Sequence, residues 1–324
     1  MKLTIQEHSR DLRTAFAISR GSKTQAKTVT VTLEANGARG RGECVPYPRY
    51  NEDCASVIDQ IQSYRPQIEG NLTRTELQSL MPAGAARCAL DCAFWDLEAK
   101  LSGDPVWKLA GLPQPKPTET AVTVTLDTPA AMATAAANTA GKLLKLKLGG
   151  AGDFERLEAV HAARPDARLI LDGNEGMSPD GFSSFVTKAA TLGVTLIEQP
   201  FPANDDGELS AQQSALSICA DESAHTAANI PDLARRYTAV NIKLDKTGGL
   251  TEAIAMYHAA RAANMQVMIG CMVAGSLSMA PALLLAQLAD TVDLDGPLWL
   301  AEDVPHGLHY ENGFVSPPAA ALWG

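Results

Sequence analysis

Two lysines in a run of leucines have the spacing and the chemistry of candidate bases. Lys145 and Lys147 are two positions apart in residues 143–148. If this run is a strand, both side chains point to the same face. An edge strand that exposes its lysines to water would show the same pattern. A further lysine, Lys243, ends another apolar run. What the pair does therefore depends on the rest of the chain.

Three carboxylates end the apolar runs that lie between these lysines. They are Asp172, Glu198 and Asp221. Adjacent acids repel one another unless a cation neutralises them, and a set of oxygen ligands suits a hard divalent ion such as Mg²⁺. Pairing with arginines is the structural alternative, but no arginine is next to these acids in the sequence. The spacing therefore predicts a Mg²⁺ site.

From residue 121 onward, strand-like runs alternate with helical patterns. The predicted strands are residues 121–126, 143–148, 169–174, 194–199, 217–221, 239–244, 266–271 and 291–295. The predicted helices are 129–140, 152–164, 179–192, a polar one near 207–214, 226–236, 248–263 and 275–289. Parallel strands covered on both faces are apolar throughout, as these are. The pattern predicts an α/β fold, a (β/α)8-type barrel.

Each predicted strand ends on a polar or reactive side chain. In chain order these are Thr123, Lys147, Asp172, Glu198, Asp221, Lys243, Cys271 and Asp295. The carboxyl ends of barrel strands surround the active site. Unpaired charges are costly to bury at such positions, so we interpret the series as a ring of functional groups.

The two candidate bases fall on the second and the sixth strand of this ring, which are opposite each other in an eight-stranded barrel. A planar intermediate between them would present one face to Lys147 and the other to Lys243, and such a pair can invert a stereocentre. A base must be neutral, and the Lys145 cation and Mg²⁺ would both lower the pKa of Lys147. A divalent ion also stabilises the enediolate that forms when a proton is lost next to a carboxylate.

The first 112 residues have a different pattern and are predicted to form an α+β capping domain. An Asn36-Gly37 turn between residues 28–33 and 40–45 predicts a hairpin, and helical patterns follow at 53–64, 73–80 and 84–101. We place the barrel at 113–296 and expect the tail, 297–324, to return to the cap. Two loops, 19–23 and 46–51, are either plain surface loops or functional ones.

Composition excludes several classes of partner. The formal net charge is −10 and there is no run rich in lysine or arginine, which argues against binding to nucleic acid or to anionic membranes. No long uncharged apolar run and no signal peptide are recognisable. The six cysteines form no Cys-x-x-Cys pair, so a reduced, cytoplasmic protein is expected.

The last predicted strand carries two acids, Asp293 and Asp295. Their alternate spacing places both on one face of a strand. They could hold the ammonium group of a substrate, or they could form a solvated acidic rim. The residues alone leave both interpretations open.

Taken together, these motifs resemble the enolase superfamily, in its muconate-lactonizing-enzyme-like subgroup. The matching segments are Lys145-Leu146-Lys147, Asp172-Gly173-Asn174, Glu198-Gln199-Pro200, Ala220-Asp221-Glu222 and Asn241-Ile242-Lys243. With Asp293-Leu294-Asp295 and Pro46-Tyr47-Pro48-Arg49, the chain is similar to the dipeptide epimerases of that subgroup.

The resemblance implies a role for each of these residues. Lys147 and Lys243 would be the two acid/base residues, and one Mg²⁺ per subunit would be held by Asp172, Glu198 and Asp221. Asp293 and Asp295 would hold the α-ammonium of a dipeptide, while Arg20 or Lys23 would bind its side-chain carboxylate. The expected reaction is L-Ala-L-Glu to L-Ala-D-Glu in the turnover of murein peptides, and a homo-oligomer is expected.

Two other functions fit parts of the pattern. A cycloisomerase or an o-succinylbenzoate synthase on the same scaffold would need one base and no ammonium site. A non-catalytic barrel that binds a sugar or a peptide would tolerate the loss of a lysine or a carboxylate, and this chain has lost none.

Overall fold

A three-stranded antiparallel sheet opens the structure. The computed structural model describes residues 1–70, 72–210 and 214–324. The sheet has the order β1 (Lys2–Ile18), β2 (Gly21–Ala35), β3 (Ala38–Cys44). The predicted hairpin is confirmed, since β2 pairs with β3 and the turn residues Asn36 and Gly37 both have positive φ. Strand β1 was not predicted, because its outer half is polar on both faces.

Five helices complete the cap in the part of the chain that the structure describes. They are α1 (Cys54–Ser63), α2 (Arg65–Glu69), α3 (Arg74–Leu80), α4 (Ala85–Ser102) and α5 (Val106–Leu109). Helix α4 is buried almost all round because its side chains are small, and it lies directly on β3. A Cβ atom at Gly40 would lie 2.2 Å from the carbonyl oxygen of Ala93, and one at Gly42 would lie 2.1 Å from that of Ala89. Glycines in β3 therefore permit this close approach.

Eight parallel strands form the barrel. They are β5 (Val122–Val124), β6 (Leu143–Lys147), β7 (Arg168–Asp172), β8 (Val194–Glu198), β9 (Ser217–Ala220), β10 (Ala239–Ile242), β11 (Gln266–Gly270) and β12 (Thr291–Asp293), and they are neighbours in chain order. The first and last strands meet through a hydrogen bond from Ala121 N to Val292 O of 2.8 Å. The predicted fold class is confirmed.

The helices around the barrel differ more from the prediction than the strands do. They are α6 (Pro129–Ala137), α7 (Asp153–Ala163), α8 (Phe182–Ala189), α9 (Ile230–Leu233), α10 (Leu244–Thr247), α11 (Leu250–Ala262) and α12 (Ser276–Ala286). The polar helix predicted near 207–214 is wrong for residues 207–210 and 214, which are not helical, and residues 211–213 lie outside the described part. Helix α9 is only one turn long and has Pro231 in that first turn, where proline is tolerated.

The C-terminal tail contacts both regions of the chain. Strands β13 (Tyr310–Glu311) and β14 (Phe314–Val315) form a small sheet with β4 (Thr118–Glu119). Beyond it, Trp323 donates through Nε1 to the Cys92 carbonyl at 3.1 Å, so the chain end lies against α4. In the described residues no helix combines the length and the apolar character needed to span a bilayer.

Candidate active site

Strand register brings the predicted ring residues to one end of the barrel. Lys147, Asp172 and Glu198 are direct partners across β6, β7 and β8. Asp221 and Lys243 follow the last residues of β9 and β10. Thr123 differs from the expectation, because it pairs with Lys145 and so lies one pleat deeper than the ring.

A cavity of about 490 Å³ opens at this end, between the barrel and the two cap loops. Six predicted site residues line it, namely Arg20, Lys23, Lys147, Asp221, Lys243 and Cys271. The remaining carboxylates of the ring lie beneath the cavity, and Asp172 and Glu198 are fully buried. The cavity therefore joins the cap loops to the charged residues of the barrel.

The two candidate bases lie on opposite walls of this cavity. Strands β6 and β10, which lead to Lys147 and Lys243, are four apart in the eight-stranded sheet. The Lys147 Nζ atom is 2.6 Å from Oδ2 of Asp172, and the Lys243 Nζ atom is 2.7 Å from Oδ2 of Asp221. Both ammonium groups are thus held by candidate metal ligands.

Lys145 is more deeply buried and contacts three carboxylates. Its Nζ atom is 2.9 Å from Asp172, 2.6 Å from Glu198 and 2.8 Å from Asp293. Burial alone would lower the pKa of Lys145, but the attraction of these carboxylates outweighs burial and raises it. Lys145 is therefore a fixed cation, and its predicted effect on Lys147 remains a prediction.

The three acids of the ring differ in charge balance. Burial opposes ionisation of Asp172, yet the Lys145 and Lys147 ammonium groups hold its pKa well below the usual range. For Glu198, burial and the neighbouring carboxylates dominate and raise the pKa to about 7. A further cation beside Glu198 would therefore favour its ionised form.

The chemistry of this donor set fits a hard divalent cation. All three acids offer oxygen, and the buried Asn174 Oδ1 atom has no hydrogen-bond donor among the described residues. In the described residues these carboxylates are not close enough together to form a metal-binding cluster, because lysine ammonium groups lie between them. Asp172, Glu198 and Asp221 would hold the ion.

Two side chains of the β10 segment also belong to the site, although the sequence analysis gave them no role. Asn241 donates through Nδ2 to Glu198 Oε1 at 2.7 Å. Lys246 is fully buried, and its Nζ atom is 2.6 Å from Asp221 Oδ1. The signal that could have found them is their nearness to Lys243, since Asn241 stands in the matching segment Asn241-Ile242-Lys243 and Lys246 follows three residues later.

The two acids of the last strand, Asp293 and Asp295, already contact other residues of the protein. Asp293 pairs with Lys145 through Oδ2, and its buried Oδ1 atom has no hydrogen-bond partner among the described residues. Asp295 accepts from Thr123 N at 2.7 Å and from Trp299 Nε1 at 3.3 Å. Burial and the Asp293 carboxylate raise the pKa of Asp295 to about 6.

The structure separates the two candidate cations of the first cap loop, residues 19–23, of which 19–20 form the turn and 21–23 already belong to β2. Arg20 is 3.1 Å from Glu175 and 2.8 Å from Glu222, so its guanidinium is already paired. Within the described ranges, no carboxylate lies in ion-pair distance of Lys23, which faces the cavity near the ring of Phe16. Burial and the nearby Lys147 and Lys243 cations lower the pKa of Lys23 to about 8.

Family models match almost the whole chain. Residues 1–111 match the mandelate racemase / muconate lactonizing enzyme N-terminal domain. Residues 128–321 match the enolase C-terminal domain-like family. Residues 112–127, which include strand β5, lie between the two matches.

Individual relatives are similar over nearly their full lengths. The L-Ala-D/L-Glu epimerase of Escherichia coli (strain K12) is 48% identical over 95% of this chain and 97% of its own. The N-acetyl-D-glutamate racemase of a Pseudoalteromonas species is 42% identical over 91% of this chain and 95% of its own.

Solved structures give the same assignment. An enolase family member from Agrobacterium tumefaciens with homology to dipeptide epimerases, solved with sodium, L-Ala-L-Glu and an ordered loop, has a TM-score of 0.96. It is 47% identical, with 99% of each chain covered. Other dipeptide epimerases of this fold, 25–26% identical, are solved with Mg and a dipeptide. This chain therefore belongs to the enolase superfamily, as an isomerase with the mandelate racemase / muconate lactonizing enzyme type of cap.

Proposed function

We propose that this protein is a Mg²⁺-dependent dipeptide epimerase that inverts the Cα of the C-terminal residue by two-base proton transfer. The observation that carries the proposal is the placement of Lys147 and Lys243 on opposite walls of one cavity. A substrate carbon between them has one amine on each face. One lysine would remove the proton and the other would return it from the opposite side.

The charges of the ring support this mechanism. Four buried lysines, Lys145, Lys147, Lys243 and Lys246, lie among four buried carboxylates, Asp172, Glu198, Asp221 and Asp293. A lysine that acts as a base must be neutral, and its loss of charge leaves an excess of negative charge in a buried site. A divalent cation on the acids would balance that excess and would stabilise an enediolate.

The remaining cavity groups support an acidic dipeptide, best represented by L-Ala-L-Glu. Lys23 offers a cation for the side-chain carboxylate of the substrate, and no residue of the described chain is paired with it. Asp293 and Asp295 offer negative charge for the α-ammonium group. A dipeptide with an acidic C-terminal residue has a charged group for each of these two partners.

The proposal is tested by proton exchange in D₂O. L-Ala-L-Glu should gain deuterium at the Cα of its glutamyl residue and should yield L-Ala-D-Glu, as measured by NMR and chiral chromatography. Lys147→Ala and Lys243→Ala should each abolish epimerisation, with a loss of at least about 10³-fold. Full activity in either variant contradicts the two-base mechanism. Chelation should also remove activity, and added Mg²⁺ should restore it.

A second candidate substrate class is the N-acyl glutamates, favoured by the state of the last-strand acids. Asp293 is neutralised by Lys145, and Asp295 is occupied by Thr123 and Trp299. A substrate without an ammonium group would leave these contacts intact. Comparing kcat/KM for N-acetyl-L-Glu and L-Ala-L-Glu decides between the classes, because only the dipeptide uses the acids as a charge partner.

The biological setting follows from the proposed substrate. L-Ala-D/L-Glu peptides are expected from murein turnover, and the six free thiols of the chain are suited to a reducing cytoplasm. A lyase of the same scaffold remains the alternative reaction, and turnover of an o-succinylbenzoate precursor without any dipeptide turnover would support it. A homo-oligomer stays a prediction.

A further inference from the structure

Glu175 is the residue at which both cap loops meet the barrel. It lies on the loop after β7, and its side chain is only 8% exposed. The second cap loop, residues 46–51, reaches it through Arg49, whose Nε and Nη2 atoms donate to the two carboxylate oxygens at 2.7 Å each. Arg20 of the first cap loop donates to Oε2 at 3.1 Å, and Ala203 N donates to Oε1 at 2.8 Å.

The backbone at this point is held in an unusual conformation. Asn174 has φ of 42° and Glu175 has φ of 66°, the left-handed region that side chains other than glycine rarely adopt. This turn exposes the Asn174 carbonyl to the cap, where it accepts from Ser19 Oγ at 2.9 Å and from Arg20 Nη1 at 2.8 Å. Strain of this kind persists only where surrounding contacts fix it.

The first cap loop makes one more ionic contact with the barrel. The Nη2 atom of Arg20 is 2.8 Å from Oε1 of Glu222, which follows β9 and is itself buried. Charge-assisted bonds of this type are among the stronger side-chain contacts. Both cap loops therefore share Glu175 as a partner, and the first loop also contacts Glu222.

We propose that Glu175 is a positioning residue that couples the two cap loops and thereby sets the preference for an acidic substrate side chain. Lys23 follows Arg20 by three residues in the same hairpin, and both line the cavity with Tyr50 of the second loop. When Glu175 holds both loops, Lys23 is presented to the substrate. The specificity part rests on the proposed function, whereas the coupling of the loops does not.

Coupling is tested by limited trypsin digestion, because the loops carry their own cleavage sites after Arg20, Lys23 and Arg49. In Glu175→Gln, cleavage at all three sites should be about tenfold faster than in the parent protein, since loss of the charge increases the open population. In Arg49→Met, which alters only the second loop, cleavage after Lys23 should also rise several-fold. No change after Lys23 in Arg49→Met overturns the coupling.

The matched control is Glu119→Gln. Glu119 also pairs with an arginine, Arg168, but at the opposite end of β7, so this variant should be cleaved like the parent protein. Circular dichroism of each variant shows whether the fold is retained. If Glu175→Gln does not fold, Arg49→Met still decides the question, because it changes a side chain that is 36% exposed.

The kinetic test separates positioning from general structural damage. In Glu175→Gln, KM for L-Ala-L-Glu should rise about tenfold, and KM for L-Ala-L-Ala should rise less than about threefold, because only the acidic substrate uses Lys23. Equal increases for both dipeptides overturn the specificity role. If no dipeptide is turned over even by the parent protein, the proposed function fails, while the digestion result still decides the coupling.

Discussion

Lys145 and Lys147 are two residues apart but have different surroundings. Lys145 is surrounded by three carboxylates beneath the cavity, whereas Lys147 reaches the cavity wall and contacts one. Against the effect of burial, neighbouring carboxylates raise the pKa of Lys145 and also that of Lys243, so access to the cavity, and not pKa, distinguishes Lys145 from the candidate bases. Lys147 is therefore the one of the two that is suited to exchange a proton with a substrate.

Lys23 provides the sharpest residue-scale prediction. Lys23→Ala should lower kcat/KM for L-Ala-L-Glu by about 10- to 100-fold, because the substrate carboxylate loses a charge-assisted bond. The value for L-Ala-L-Ala should change little. Lys27→Ala is the control, since Lys27 is an exposed lysine of the same strand. Equal losses for both dipeptides in Lys23→Ala would assign the residue another role.

The same residue predicts a pH dependence. The pKa of Lys23 is lowered to about 8 by burial and by the Lys147 and Lys243 cations. Above that pH the free enzyme has a neutral amine at this position. The ratio of kcat/KM for L-Ala-L-Glu to that for L-Ala-L-Ala should therefore fall as the pH rises from 7 to 9. A ratio that is constant over this range would contradict the assignment.

At the scale of elements, the close contact of β10 and β11 positions one ring acid. A Cβ atom at Gly270 would lie 2.5 Å from Oδ1 of Asn241, and the Nδ2 atom of the same amide donates to Glu198. Gly270→Ala should displace Asn241, and Mg²⁺ affinity measured by calorimetry should fall about tenfold, with about 1–3 kcal/mol of lost stability. Gly207→Ala is the control, as a Cβ there meets no atom within 4 Å. Unchanged affinity in Gly270→Ala would show that Asn241 does not orient Glu198.

Helix α4 holds the cap against the barrel through buried polar groups. Arg87 donates to the carbonyls of Thr247, the last residue of α10, and Gly248, the residue after it, at 2.7 and 3.2 Å. Asp91, one turn later, accepts from Thr251 Oγ1 at 2.6 Å and from Gln78. The segment that begins at Lys243 is thus fixed by the cap.

The buried carboxyl of α4 makes stability depend on pH. Burial raises the pKa of Asp91 to about 6, against the hydrogen bonds from Thr251 that lower it. Between the unfolded pKa of about 4 and this value, the folded state binds more protons than the unfolded state, so this group's contribution to stability falls as pH rises. In Asp91→Asn this contribution to the pH dependence of stability is absent, because the amide does not titrate.

Urea denaturation measures the effect. From pH 4.5 to pH 7.5, the parent protein should lose about 1–3 kcal/mol of stability relative to Asp91→Asn. Glu98→Gln, which alters a solvent-accessible carboxylate of the same helix, is the control. A difference between parent and Asp91→Asn that does not vary with pH would contradict the raised pKa.

At the scale of the whole molecule, the C-terminal tail connects the barrel to the cap. Trp323 is 1% exposed and donates to α4, and Gly324 N donates to Asp96 at 2.8 Å. Trp323→Ala should cost about 3–5 kcal/mol in the free energy of unfolding, because a large buried side chain is removed. Activity per folded molecule should be retained, since Trp323 does not line the active-site cavity. Trp107→Ala, which alters a partly buried tryptophan, should cost less.

The positions of the ring residues were predictable because they depend on local regularities. A parallel strand and its helix recur at a nearly constant length, so side chains at successive strand ends come to one rim. This is how Lys147, Asp172 and Glu198 could be assigned to neighbouring positions, and their register agrees. The helix near 207–214 failed because a polar run has no apolar periodicity to distinguish a helix from a loop.

The sequence by itself therefore predicted most of the groups at this end of the barrel and their order, since strand succession fixes both, although it missed Asn241 and Lys246 and placed Thr123 too high. Only the tertiary structure decided how those groups pair. Lys145 contacts Asp293, 148 residues away, and Arg20 contacts the carbonyl of Asn174, 154 residues away. These contacts depend on how loops from separate regions dock, and no local pattern encodes that docking. Both Arg20 and Lys23 line the cavity, but Arg20 is paired with Glu175 and Glu222, whereas Lys23 has no carboxylate partner among the described residues.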